Sequence, residues 1–103
     1  MTPSLSVGPG VIRETIRLAA LEVPGVLRVG RGGPRWRDVL GGSPIRIRIR
    51  DGRVDVTVRL VARPRQPLVP LTAQVREAVG AAVERLLGME LGAVTVLVDG
   101  VGA

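Results

Sequence analysis

Ile45-Arg-Ile-Arg-Ile-Arg50, then Asp51-Gly52, then Arg53-Val-Asp-Val-Thr-Val58 is the stretch on which the fold turns. Ile and Arg alternate without exception over residues 45–50. A period of two puts every Ile on one side of an extended strand and every Arg on the other. Asp51-Gly52 tolerates positive φ at both central positions, as a two-residue hairpin loop requires. So short a loop also fixes register, so that Ile49 faces Val54, Ile47 faces Val56 and Ile45 faces Val58, all on the side of the core. On the other side Arg48 falls opposite Asp55 and Arg46 opposite Thr57, with Arg50 and Arg53 crowded at the turn. The expectation is one Arg48–Asp55 ion pair in an otherwise basic face.

Upstream of the hairpin, Ile12, Ile16, Ala19 and Val23 recur at helical spacing while Arg13, Glu14 and Arg17 gather opposite, which predicts an amphipathic helix over 10–23. Pro24-Gly25 ends it, since proline cannot continue the ladder and glycine accepts the conformation that follows a helix. Val26 to Val29 reads as a short strand, and residues 30–44, rich in glycine and holding Trp36, read as a mobile loop. The glycines at 30, 32 and 33 do not make a phosphate cradle, because a Walker-type loop needs a lysine entering a helix. Met1 to Gly8 is expected to be a flexible arm, with residues 5–7 able to add to a sheet edge, and 9–103 a single domain.

Downstream, Pro64, Pro67 and Pro70 rule out a continued central strand. A second helix follows, with Leu71, Val75, Ala78, Val79, Ala82, Val83 and Leu86 as its apolar stripe, Glu77 and Glu84 opposite, and Gly88 as its cap. Val94 to Val98 is apolar at nearly every position, which predicts a strand interior to the sheet, closed by Asp99-Gly100. The order is helix, strand, hairpin, helix, strand. Packing the three one-sided apolar surfaces against each other gives an α+β two-layer sandwich, with two helices on one face of a small mixed four-stranded sheet. The second helix becomes a right-handed crossover.

The 103 residues contain no His, no Cys and no Tyr, and all 15 basic residues are arginines. Serine–histidine, cysteine–histidine, Schiff-base and thiolate or imidazole metal sites are therefore excluded by inventory. Carboxylates remain, yet Glu77 and Glu84 lie on an outward helix face, and Asp51 and Asp99 each precede a glycine, as turn residues do. No catalytic residue, metal or cofactor is expected. A net charge of +6 suits an acidic partner, with Arg46, Arg48, Arg50, Arg59 and Trp36 as the candidate interaction surface. Phosphates of a nucleic acid are the alternative ligand, although readers of single strands stack bases on exposed aromatics and this chain has one Trp and no Phe or Tyr. No apolar run reaches the ~18 residues of a membrane span, and residues 1–6 lack the basic start and apolar stretch of a signal peptide.

Several blocks taken in order carry a resemblance: Val11-Ile12, Leu18-Ala-Ala-Leu-Glu-Val-Pro-Gly-Val26, Ala73-Gln-Val-Arg-Glu-Ala-Val79, Ala82-Val-Glu-Arg-Leu-Leu-Gly88, and Val94-Thr-Val-Leu-Val-Asp-Gly-Val101. From about residue 7 to 101 the chain resembles the alkaline shock protein 23, or envelope stress response, family. It departs from that pattern at Leu87-Gly88, where the family often has Thr-Gly, at Thr95, where it has Asn, and at Arg63-Pro64, where it has Tyr-Gly. The resemblance implies a non-enzymatic bacterial protein of the cytoplasm, tied to cell-envelope stress, that self-associates or docks on a membrane-anchored partner and so sits peripheral to the membrane. It carries no catalytic residues with it.

Overall fold

A computed structural model describes residues 8–33 and 42–102. Among them are helix α1 (Pro9–Leu21), strands β1 (Val26–Val29), β2 (Ile45–Arg50) and β3 (Arg53–Ala62), helix α2 (Leu68–Ala81) running into a π-helical turn (Ala82–Leu86), and strand β4 (Glu90–Val101). This is the expected two-layer α+β order. The arm at 1–7, and Trp36 with the loop around it, lie outside the described residues.

The hairpin has the expected register at every pair from Ile45↔Val58 to Arg50↔Arg53. Its turn uses positive φ twice, 51° at Asp51 and 76° at Gly52. Cover fades along it, however: Ile45 is buried, Ile47 is half-buried, and Ile49 is 57% exposed, because the helices stop short of the hairpin tip.

β3 is the central strand. Antiparallel β2 takes its first half and antiparallel β1 its second half, end to end on one edge, while β4 runs parallel along the other. The expectation of an interior final strand is therefore corrected: β4 is an edge strand, and its apolar run does not report two-sided cover. Ala93, Thr95 and Leu97 face outward and are exposed, and Val94, Val96 and Val98 are only partly covered beneath the helices. β4 also continues through Asp99-Gly100 to Val101 rather than closing there.

Two bulges explain how it does so. Between Val54↔Leu91 and Val56↔Val94, the two residues Gly92 and Ala93 oppose Asp55; between Leu60↔Val98 and Ala62↔Val101, Asp99 and Gly100 oppose Val61. An extra residue on one strand leaves a ladder group unpaired and increases twist.

The core lies between β3 and both helices. Val54, Val56, Val58 and Leu60 from the sheet meet Ile12, Ile16 and Ala20 of α1 and Leu71, Val75, Val79 and Val83 from the second helix. No polar or charged side chain is buried among the described residues. Pro70 sits in the first turn of α2, where no intrahelical partner is lost. The expected stripe fails only at its end: Leu86 is 75% exposed and Leu87 packs on the core instead. The π turn causes this, since one inserted residue rotates everything after it by roughly a quarter-turn. On the solvent side of α1, Arg17 Nε donates to Glu14 Oε2 at 2.9 Å. That hydrogen bond and the charge behind it hold the Glu14 carboxyl below its ordinary value.

Candidate interaction surface

With both helices on one face, the hairpin end of the opposite face is uncovered among the described residues, whereas residues 30–33 lie across its other end. Register arranges its side chains in rows across the strands: Arg46, Thr57 and Thr95 in one, Arg48, Asp55 and the Gly92-Ala93 bulge in the next, and Arg50, Arg53 and Glu90 nearest the turn. Arg59 follows on β3 beside Leu97. The alternation thus brings Arg46, Arg48, Arg50 and Arg59 to one surface, whereas Trp36 cannot be assigned to it.

The distribution of carboxylates differs from the expected one. Asp55 faces Arg48 in register, yet its Oδ1 accepts the Ala93 N–H at 2.8 Å and its Oδ2 lies 3.7 Å from an Arg50 nitrogen. The bulge explains the change, because it frees an N–H on β4 and the short Asp side chain turns toward it and away from Arg48. Arg53 pairs with Glu90 at 3.2 Å and Arg59 with Asp99 at 3.3 Å. Arg46 and Arg48 have no acidic partner among the described residues. A shallow hollow of ≈ 330 Å³ lies between them and Asp55, Thr57, Ala93 and Thr95.

Asp99 is the second carboxylate set by a bulge. Its Oδ2 accepts the Gly32 N–H at 2.7 Å, and the Gly30 N–H bonds to the Arg59 carbonyl at 2.9 Å. Residues 30–33, expected to belong to a mobile loop, therefore cross toward β4 with Gly30 and Gly32 buried. Sequence reasoning missed both aspartates as structural latches. The visible signals were Gly92, beside Asp55's partner Ala93, and Gly100, beside Asp99 itself, since an isolated glycine inside a strand pattern marks a bulge or a close approach.

Asp55→Ala is expected to lower stability by about 1–2 kcal/mol, because it strands the bulge N–H and removes a charge-assisted bond. Asp55→Asn, which keeps an acceptor for Ala93, should cost less than half as much. Chemical denaturation of the two variants measures the difference, and equal costs would show that the Ala93 bond contributes nothing.

Glu77 and Glu84 are exposed on α2 and its π turn, and no group of three His, Cys, Asp or Glu residues converges among the described residues. No helix of the described residues is long and apolar enough to cross a membrane.

No family model matches the chain, and no curated protein matches it. Solved structures do. A cysteine-to-serine variant of the MamM CTD superposes with a TM-score of 0.57 at 21% identity, covering 88% of this chain and 94% of that one. A doubly substituted MamM CTD gives a TM-score of 0.59 at 21% identity over 91% of this chain and 95% of that one. A variant described as a zinc form gives 0.58 at 20% identity over 91% and 87%. At such identities the likeness is one of architecture: this chain has the same kind of α+β fold as the MamM CTD.

Proposed function

We propose that this chain is a non-catalytic interaction module of the alkaline shock, envelope stress response type, acting in the cytoplasm by self-association or by docking on a membrane-anchored protein. The observation that carries this reading is the hairpin end of the outer sheet face, uncovered among the described residues. A flat charged surface beside shallow hollows suits a broad protein partner, whereas a small substrate needs a concave and largely enclosed site. Arg50 and Arg59 already have carboxylates at 3.7 and 3.3 Å, so Arg46 and Arg48 are the pair left to meet an acidic partner. Both are exposed on the edge strand β2, and Arg forms bidentate bonds to carboxylates. The MamM CTD likeness supports the architecture of this reading and nothing finer.

Light scattering over a concentration series tests it: the mean mass is expected to rise with concentration. A strict monomer at the highest concentration, with no binding of an acidic peptide that Arg46→Glu/Arg48→Glu would lose, removes the proposal. A titration with an oligonucleotide is the arm for the alternative ligand. Affinity falling by about one log unit per log unit of salt for each phosphate contact, and lost in the same double variant, would replace the protein partner by a nucleic acid.

A further inference from the structure

We propose that the free edge of β4 is the self-association surface, and that its occupant is β4 of a second copy, paired antiparallel about a two-fold axis at Val96. This rests on the self-association reading above and assigns it a place. β4 bonds to β3 along one side, and among the described residues no strand pairs with its other side, where Arg76 Nε reaches the Val94 carbonyl at 3.4 Å and must release it to a partner strand. An edge strand presents a row of unpaired N–H and C=O groups that another strand can complete.

Charge selects which edge and which occupant. In a chain of net charge +6, two copies meeting edge to edge must avoid stacking their arginines. β2 has the sequence Ile-Arg-Ile-Arg-Ile-Arg, and pairing it with itself would set like charges directly opposite one another. β4, Glu-Leu-Gly-Ala-Val-Thr-Val-Leu-Val-Asp-Gly-Val, contains no arginine at all, and between Glu90 and Asp99 it has no charge.

The bulges select the register. Gly92-Ala93 lies four and three residues before Val96, and Asp99-Gly100 lies three and four residues after it. Antiparallel pairing centred on Val96 therefore sets each bulge against the partner's other bulge, glycine across from glycine. The regular segment Val94–Val98 then lies wholly against its own copy. Val94 falls opposite the partner's Val98, Thr95 opposite the partner's Leu97, and Val96 opposite the partner's Val96. Any other centre would push a bulge into a regular stretch and break the ladder. The same pairing explains why Val94, Val96 and Val98 reach the helical side of the sheet yet stay partly exposed. Across the axis each would be covered by the matching valines of the second copy.

Because the two-fold of an antiparallel strand pair stands perpendicular to the sheet, both helical layers would lie on one side. The two arginine faces would join into one continuous basic surface on the other.

The absence of cysteine makes the test clean. Directly opposed residues of antiparallel strands have Cα atoms about 4.5–5.5 Å apart, within disulfide reach. Val96→Cys alone is expected to form a disulfide-linked dimer on mild oxidation, ~10-fold or more faster than Arg48→Cys on β2, since pairing raises the local thiol concentration. Thr95→Cys and Leu97→Cys should cross-link with each other when mixed and neither with itself. Val96→Cys oxidising no faster than Arg48→Cys, or the mixture giving no heterodimer, would overturn the assignment. If wild-type mass still rises with concentration in that case, association uses another surface and only this edge is lost. A strict monomer removes both.

Discussion

Truncating Leu60 to alanine is expected to remove about 3–5 kcal/mol of folding stability, the upper part of the range for buried leucines. Leu60 is fully buried and sits where β3 is flanked on both sides, by Val29 of β1 and Val98 of β4. Sheet pairing on two sides and a helix above leave the site little freedom to collapse into the void. A domain of this size has a total stability of about 5–15 kcal/mol, so the variant should be at the edge of unfolding at room temperature. Ile49→Ala is the matched comparison. It lies on the same side of the sheet but is 57% exposed, so its loss should cost below about 1 kcal/mol. Equilibrium urea denaturation measures both. Equal costs would mean that the helices cover the hairpin tip as well as they cover its base, contrary to the exposure gradient.

That gradient also marks how far sequence could lead. Which side of the hairpin faces inward follows from period two and a two-residue loop, both local, and every pair from Ile45↔Val58 onward agrees. How much of that side is covered depends on where α1 and α2 end, which no residue of the hairpin encodes. The same division explains β3 and β4. An apolar run such as Val94–Val98 reads as a strand covered on both faces, yet Thr95 and Leu97 stand exposed, because the cover depends on which elements pack nearby and not on the run itself. β3, with Asp55, Thr57 and Arg59 alternating along it, is the central strand although one of its faces is polar. The displaced Leu86 has no local signature either, since nothing in Ala-Val-Glu-Arg-Leu announces a π turn.

For the surface, alternation was enough to gather Arg46, Arg48, Arg50 and Arg59 on one face. Which of them stay without a carboxylate depends on Asp55 and Asp99, and both are turned by bulges in a strand remote in sequence. Only the misplaced-looking glycines Gly92 and Gly100 hinted at that.

The second large effect should come from the smallest change. Gly32→Ala is expected to cost about 2–3 kcal/mol, in the range of overpacked sites, although it deletes no bond and adds one methyl group. A Cβ at Gly32 would overlap the backbone carbonyl oxygen of Asp99 and crowd its carbon at 3.0 Å. Backbone cannot rotate aside as a side chain can, so residues 30–33 must lift from β4. Lifting them stretches the 2.7 Å bond from the Gly32 N–H to Asp99 and disturbs the carboxylate that pairs with Arg59. Gly10→Ala provides the opposite sign: nothing lies within 4 Å of its would-be Cβ, and it sits in the first turn of α1, so alanine should be neutral or stabilising by up to about 0.5 kcal/mol. Thermal melts of the two variants should separate by roughly 10 °C or more, at about 4–8 °C per kcal/mol for a domain of this length. A Gly32→Ala melt within a degree or two of wild type would mean that residues 30–33 move away from β4 at little cost, and that the Asp99 latch does not hold the segment down.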